Sequence, residues 1–333
     1  MLVLIGTLIR WKLSVRKRAK AMVDLIKLTN LLDEAKCYEV IRQLRWPDGV
    51  VCLHCRGRGV VRNGHDDRER HRQRYLCKTC KYRFDDLTGT VLAGHHQPVS
   101  TWILGSYFMG VNLSNRQIAH ELGVCESDAQ AMTEVLRHGI VAKTPDVVLS
   151  GDVEFDELYV VAGHKGNPEA VRAKGREGRR NRLKGGRGRG TLEKEKPPIF
   201  GMIERGGQVV IRMLANVQQA TIHPIIEKTV AKGSNVFTDE YSIYARLPGL
   251  GYSHKTVCHG RGEYARDEDG DGFCEVHVNT MEGFWSLLRS WLRPHRGLSQ
   301  EKLPLYLGFF QFVHNARRRG RALLGSLIEA LVT

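Results

Sequence analysis

The second half of this 333-residue chain predicts an α/β domain, and the first half a small cysteine-organised module followed by a helical segment. Three observations carry that expectation. Two CxxC pairs, Cys52 with Cys55 and Cys77 with Cys80, are separated by 21 residues. From Val99 to Gly139 apolar residues recur at helical spacing with short breaks. From about residue 148 onward, runs rich in β-branched and aromatic residues alternate with helical ones.

The composition bounds the partners. Lys and Arg number 51 against 36 Asp and Glu, a net charge of +15, which favours a polyanion such as nucleic acid or an anionic membrane surface. At 42% apolar residues the chain can bury a real core. Eight cysteines are too few for a disulfide scaffold of this size, and the CxxC pairs point to a metal in a reducing compartment. The start, "MLVLIGTLIRWKLSVRKRAK", puts apolar residues before basic ones, the reverse of a secretory signal, and its apolar run is too short to span a bilayer. Residues 1–21 are therefore expected to be an extension ahead of Met22. No other stretch approaches a transmembrane span, so a cytoplasmic protein with no membrane partner is expected.

Taken in order, residues 22–47 form an amphipathic N-terminal helix stopped by Pro47 and Gly49. Residues 48–90 hold "CLHC", a charged loop from Arg62 to Arg74, and "YLCKTCKYRF". Two CxxC knuckles present four soft ligands to a tetrahedral ion, so Cys52, Cys55, Cys77 and Cys80 predict a zinc ribbon. Four thiolates leave no open position for water, so the zinc is expected to be structural, with Tyr75, Tyr82 and Phe84 packed beside it. Cys37, Cys125, Cys258 and Cys274 have no ligand spacing. Residues 91–145 read as a helix-turn-helix-like segment, with Ser114 and Ser127 as N-caps and Gly123 at the turn.

The α/β domain, 148–333, opens on the strand "DVEFDELYVV". A Gly-rich basic insertion, 163–196, follows; it lacks the apolar residues for a core and predicts a mobile loop whose Arg179, Arg180 and Lys184 meet phosphates. "PPIFGMIERGGQVVIRML" is a hairpin turning at Gly206-Gly207, and "TIHPIIEKTVAKG" a helix capped by Thr221 and stopped by Gly233. "SNVFTDEYSIY" is a short strand running into a turn, "NTMEGFWSLLRSWLR" a helix, and Leu303 to Leu331 is mostly helical.

The chemistry rests on carboxylates. Strand alternation puts Asp156 on a face with Glu154 and Leu158 and turns Glu157 away; Asp239 ends the "NVFT" strand. At about 100° per residue, Asn279, Glu282, Ser286, Arg289 and Arg293 form one polar stripe of their helix. Phe284, Trp285, Leu287, Leu288, Trp291 and Leu292 cover much of the remainder, so the helix is expected to be enclosed, with its stripe lining a cleft. Two strand aspartates and one helix glutamate can hold a pair of Mg²⁺ or Mn²⁺ ions about 4 Å apart, as in phosphodiester chemistry. Arg289 and Arg293 would then face backbone phosphates. The order strand-Asp, hairpin, helix, strand-Asp, helix-Glu is that of an RNase H-like fold. "DEDGDG", from Asp267, starts like a calcium loop, but its twelfth position is Val278, which cannot supply a carboxylate. No GKS/T phosphate loop is present, so ATP dependence is not implied.

Together "RWPDGVVCLHC", "VEFDELYV", "FTDEYSIY", "HVNTMEGFWSLLR" and "FVHNARRR" resemble the zinc-ribbon insertion-sequence transposases of the ISXO-two-like group, from about residue 23 to the end. The resemblance implies a zinc ribbon, a helical DNA-binding segment and a DDE catalytic domain. It further implies binding of terminal inverted repeats, metal-dependent release of transposon ends, and joining of the freed 3′-OH to target DNA, with double-stranded DNA as partner and a homo-oligomer on it. Carried over, Asp156 is the first acid and Asp239 the second; for the third, Glu282 and Asn279 stand one turn apart and both stay open. His259 and His277 match the family's His…HxN pattern without an assigned role. Leu53 replaces the Pro of "CPHC", the basic insertion is long, and residues before Met22 have no counterpart. The alternatives are a non-catalytic zinc-ribbon DNA-binding protein, in which the α/β domain only scaffolds, and a nuclease or resolvase that cuts without joining.

Overall fold

The computed structural model describes residues 30–175, 188–295, 297–318 and 322–333. The extension 1–21, residues 22–29, and Arg179, Arg180 and Lys184 lie outside the described residues. The chain divides into two units, one of residues up to Lys143 with Ala322–Thr333, the other Thr144–Arg321. No described helix is long and apolar enough to cross a membrane.

In the first unit, helix α1 (Glu34–Arg45) starts where the Asp33 carboxylate accepts the Ala35 N–H at 2.8 Å, and it buries Cys37, Tyr38, Val40 and Ile41. Strands β1 (Val60–His65), β2 (Gln73–Cys77) and β3 (Arg83–Asp85) form an antiparallel sheet. The stretch from Arg62 to Arg74, expected to be a loop, is a loop over 66–72, and its two ends belong to the paired strands β1 and β2. Backbone pairing of Arg62 with Tyr75 and His65 with Gln73 tolerates charged side chains because β1 turns them outward. Asp86 anchors the module: fully buried, it receives the Gln73 N–H, the Tyr75 hydroxyl and Arg42.

Helices α2 (Val99–Gly110), α3 (Asn115–Leu122) and α4 (Glu126–Ala142) follow. Ser114 caps α3 in a reciprocal box with Gln117, and Gly123 closes it with φ of +65°, a backbone conformation that favours glycine. Ser127 is not a cap. Cys125 occupies that position without a side-chain bond to the helix backbone, and Ser127 lies inside the first turn of α4. The C-terminal helix Leu323–Val332 packs in this unit, with Leu323 and Leu327 against Gly110.

The second unit is built on a five-stranded sheet of order β6-β5-β4-β7-β8. Its strands are β4 (Asp152–Tyr159), β5 (Pro198–Glu204), β6 (Val209–Met213), β7 (Asn235–Asp239) and β8 (Ser253–Val257). β4 pairs antiparallel with β5 and parallel with β7, so the central strand joins a meander to a parallel half. Phe155, Phe200, Met202, Ile222, Ile226, Val236 and Tyr244 form its core. Within the basic insertion, Pro168–Ala173 is a short helix, α5, capped by Asn167, where only a loop was expected.

Helix α6 spans Gln219–Thr229. Thr221 is not its cap: Gln218 stands there, and the Thr221 hydroxyl donates to Asn216 Oδ1 at 2.7 Å. The helix also stops before Gly233, because Val230 turns extended and bridges Leu149. Short strands β9 (Ala265–Arg266) and β10 (Val276–His277) pair antiparallel and lead into helix α7 (Asn279–Leu292). Helix α8 (Leu303–Arg318) covers the sheet edge. Buried Asn315 pairs with both the N–H and the carbonyl of Val209, and Gln311 accepts the Ile211 N–H, so edge strand β6 offers these groups to no other chain.

Candidate metal and acid sites

The cysteines converge. Cys52 Sγ lies 3.5 Å from Cys80 Sγ and Cys55 Sγ 3.6 Å from Cys77 Sγ, and all four sulfurs fall within 4.8 Å of one another. A tetrahedron of sulfurs around zinc has edges of about 3.8 Å, so the donor set fits that ion. The two knuckles repeat one backbone solution. Arg56 N–H returns to the Cys52 carbonyl and Lys81 N–H to the Cys77 carbonyl, both at 3.0 Å, with φ of +59° and +61°. Backbone N–H groups of Cys80 and Thr79 hold the Cys77 thiol down to about 6, whereas, against the Tyr82 N–H, burial and the neighbouring sulfurs push Cys80 up to about 12, as expected of clustered thiols with no cation between them. Trp46, Tyr75 and Phe84 pack around the buried sulfurs, and Tyr82 stacks on Phe84 and His54.

The acids gather in the second unit where β4 and β7 run side by side. Their parallel pairing is continuous to Glu154 opposite Phe237, so Asp156 and Asp239 stand two residues further along neighbouring strands. Asp156 Oδ1 accepts the Glu157 N–H at 2.7 Å, and its Oδ2 accepts Trp285 Nε1 of α7 at 2.9 Å. Asp239 Oδ1 accepts the Tyr241 N–H at 3.0 Å, which fixes the turn after β7. Gly201 of β5 pairs with Asp156; with no side chain there, Met281 and Trp285 of α7 rest directly on the sheet. One helix thus carries both the donor to Asp156 and the candidate third ligand.

Burial pushes the Asp156 carboxyl up to about 6, and the charges of Asp239 and Glu282 push the same way, against its two hydrogen bonds. Glu157, on the opposite face, bonds the Tyr244 hydroxyl and is raised to about 7, first by burial and then by Asp156 and Asp239. Among the described residues, Asp156, Asp239 and Glu282 are not one of the groups whose ligand atoms all lie within 4.8 Å, so they do not form a compact single-ion cage. Asp267, Asp269 and Glu275 of the loop rejected as an EF-hand do come that close, at the surface.

Asn279, Glu282, Ser286 and Arg289 are exposed on α7, and Arg293 is exposed at its C-cap, as the stripe predicts. The enclosure does not hold in full. Phe284, Trp285, Leu288 and Trp291 are buried, but Leu287 is 58% exposed, because the exposed face is wider than the polar stripe. Sequence reasoning missed Trp285 as a partner of Asp156; its place one turn after Glu282 was the available signal. It also missed Arg189, whose guanidinium lies 3.7 Å over the Tyr241 ring and whose charge opposes the rise at Glu157. The composition of the insertion marks its basic residues as a group, and Arg179, Arg180 and Lys184, the three named from it, leave Arg189 out.

Residues 148–315 match the ISXO2-like transposase domain, and residues 32–83 the transposase zinc-ribbon domain. A protein of the transposable element ISH50 from Halobacterium salinarum is 33% identical over 309 residues, 92% of this chain and 99% of that one. A transposase-like protein from Haemophilus influenzae is 31% identical over 97 residues, 28% of this chain and 71% of that one. The simian T-cell lymphotropic virus intasome with PP2A regulatory subunit B56 gamma is a solved structure similar over 62% of this chain and 67% of that one. It is 10% identical with a TM-score of 0.27, too slight a likeness to bear on the fold.

Proposed function

The chain belongs to the ISXO2-like transposases, enzymes that cut and join DNA, and from that premise we propose that Asp156, Asp239 and Glu282 are the metal-binding acids of an RNase H-like DDE domain beginning near residue 148. The observation that carries this reading is the parallel placement of Asp156 beside Asp239, with α7 tied to Asp156 through Trp285. Glu282 is preferred to Asn279 because an ionised carboxylate offsets the charge of a divalent cation and a neutral amide does not. Acids spaced more widely than a one-ion cage suit two ions. When bound, Mg²⁺ or Mn²⁺ would lower the pKa of the attacking oxygen and stabilise the leaving one.

The chain's own residues supply the rest. Asp156 is held for ligation by the Glu157 N–H and by Trp285, and Asp239 by the Tyr241 N–H. Arg189, its face on Tyr241, has edge N–H groups for a phosphodiester, and Arg289 on α7 and Arg293 at its C-cap are further exposed cations for backbone phosphates. Water opens the phosphodiester at a transposon end and leaves a 3′-OH. That hydroxyl then attacks a target phosphodiester, so one P–O bond forms as another breaks and the second target fragment leaves with its own 3′-OH. The zinc ribbon, 48–90, and the helix-turn-helix-like segment, 91–145, bind double-stranded terminal repeats, and the protein acts as a homo-oligomer on DNA in the cytoplasm.

The test is cleavage and joining of terminal-repeat DNA with Mg²⁺ by wild type, Asp239→Ala, Glu282→Gln and Asn279→Ala. Loss of both steps in Asp239→Ala and Glu282→Gln, with milder loss in Asn279→Ala, is expected. Loss in Asn279→Ala alone would move the third ligand to Asn279. If wild type binds the DNA but neither cuts nor joins it, the protein is a DNA-binding scaffold; cutting without joining marks a nuclease.

A further inference from the structure

Glu154 is fully buried, yet it carries a carboxylate two residues before Asp156. Its Oε1 accepts Arg205 Nε at 2.7 Å, and its Oε2 accepts the Met281 N–H at 2.9 Å. Arg205 comes from the turn between β5 and β6 and spends its other two nitrogens on backbone. Nη1 donates to the Glu275 carbonyl at 2.7 Å and Nη2 to the His277 carbonyl at 2.9 Å. Its guanidinium lies 4.0 Å over Phe237, and its own N–H donates to the Asp152 carbonyl at 2.9 Å. His277 Nδ1 stands 3.2 Å from Glu154 Oε1 and 3.3 Å from the Asn279 N–H, and serves one of the two at a time.

A buried ion pair contributes little net stability over well-packed apolar residues of the same volume, because both charges are stripped of water. What this pair does is geometric. Glu154 stands on the strand of Asp156, Phe237 on the strand of Asp239, and Met281 in the first turn of α7, beside Glu282. The backbone held by Arg205 at Glu275 and His277 is the segment that delivers the chain into α7. All three acid-bearing elements are therefore tied through one carboxylate and one guanidinium.

We propose that Glu154 and Arg205 are a positioning pair that sets the distance between Asp156 and the ligand on the first turn of α7, and so the divalent-ion affinity of the acid site. The role rests on the catalytic reading above. Neither residue touches the ion or the DNA. Side-chain partners that orient metal ligands change metal affinity or activity by about 10- to 100-fold when altered, which gives the scale expected here.

The experiment uses the full-length, zinc-loaded protein. Mn²⁺ binding is measured by calorimetry, thermal unfolding by circular dichroism, and strand transfer as a function of Mn²⁺ concentration. Glu154→Gln keeps an oxygen for the Met281 N–H and loses the ion pair. Arg205→Lys keeps the charge and loses the fork to the Glu275 and His277 carbonyls. Both are expected to weaken Mn²⁺ binding by about tenfold and to shift the strand-transfer curve to higher Mn²⁺, with the rate at saturating Mn²⁺ within about threefold of wild type. The double variant Glu154→Met with Arg205→Met restores packing without the pair and should bind Mn²⁺ as weakly. A fall in melting temperature with unchanged Mn²⁺ affinity of the folded protein would show a merely structural pair and overturn the proposal, as would full Mn²⁺ affinity in the double variant. Asp239→Ala separates the two levels. If it binds Mn²⁺ like wild type, the acid-site reading itself fails, and this role with it.

Discussion

Gly201→Ala tests the claim that the distance of α7 from the sheet governs the chemistry. A Cβ at Gly201 would lie 2.1 Å from Met281 Cε and 2.5 and 2.6 Å from Trp285 Cη2 and Cζ2. Carbon atoms settle at about 3.5–4.0 Å, so one or both side chains must retreat by about 1 Å. Met281 can swing its terminal methyl. Trp285 is buried, rigid, and bonded to Asp156 Oδ2 at 2.9 Å, so its retreat either stretches that bond or carries α7 and Glu282 outward. Overpacking of this kind costs about 1–3 kcal/mol of stability. Against a total of about 5–15 kcal/mol the chain stays mostly folded. Misplacement of catalytic groups by about 1 Å costs on the order of 10²-fold in rate. The expected result is a loss of about two orders of magnitude in end cleavage at saturating Mg²⁺, with a cooperative unfolding transition only a few degrees lower. The assay pairs single-turnover cleavage of labelled end DNA with thermal unfolding. A variant that loses the predicted stability but cleaves within about threefold of wild type would refute the coupling of α7 position to rate.

Two other outcomes follow from the same geometry. The metal-free protein holds Asp156 at about 6 and Glu157 at about 7, above the ordinary 3.8 and 4.5. Each group therefore contributes stability that is complete below its unfolded pKa and is lost as pH rises through the folded value. Asp156→Asn should flatten the part of the melting-temperature profile between about pH 4 and pH 6, and Mg²⁺, by favouring the ionised acids, should restore stability above about pH 6 in wild type only. Chelation of zinc, or Cys77→Ser, should unfold the β1–β3 sheet, because Trp46, Tyr75 and Phe84 form a small core around sulfurs that repel once ionised without a cation. Loss of near-ultraviolet circular dichroism together with loss of terminal-repeat binding is the expected readout; retention of both would show that the metal does not hold the module.

Much of the architecture was legible because it depends on local pattern. Runs of β-branched and aromatic residues located β4 and, with the Gly206-Gly207 turn, the β5–β6 hairpin; helical periodicity located α7, and CxxC spacing located the metal ligands, since each needs only neighbouring residues. The helix ends were less legible. Ser127 and Thr221 are good capping residues, but caps are decided by where the chain enters the helix, and the backbone turns from extended to helical at Cys125 and Gln218 instead. The hairpin inside the charged stretch 62–74 was hidden because its residues have no apolar alternation, and buried Asp86, thirteen residues beyond Gln73, holds its return strand.

By itself the sequence determined which atoms are available for chemistry: four thiolates at knuckle spacing, two aspartates on strands, and Glu282 with Asn279 on one face of a helix. These are properties of residue type and short period, and they survive without knowledge of the fold. Tertiary structure alone decided how those atoms are held. The parallel pairing of β4 with β7 brings Asp156 beside Asp239, Gly201 admits α7 to the sheet, Trp285 grips Asp156, and Glu154 with Arg205 ties all three elements. The contacts from Glu154 to Met281 and from Asp156 to Trp285 join residues more than a hundred positions apart, 127 and 129. Local propensity has no term for such contacts; they exist only because burying the apolar faces of sheet and helix against each other leaves those polar atoms one arrangement in which every partner is met.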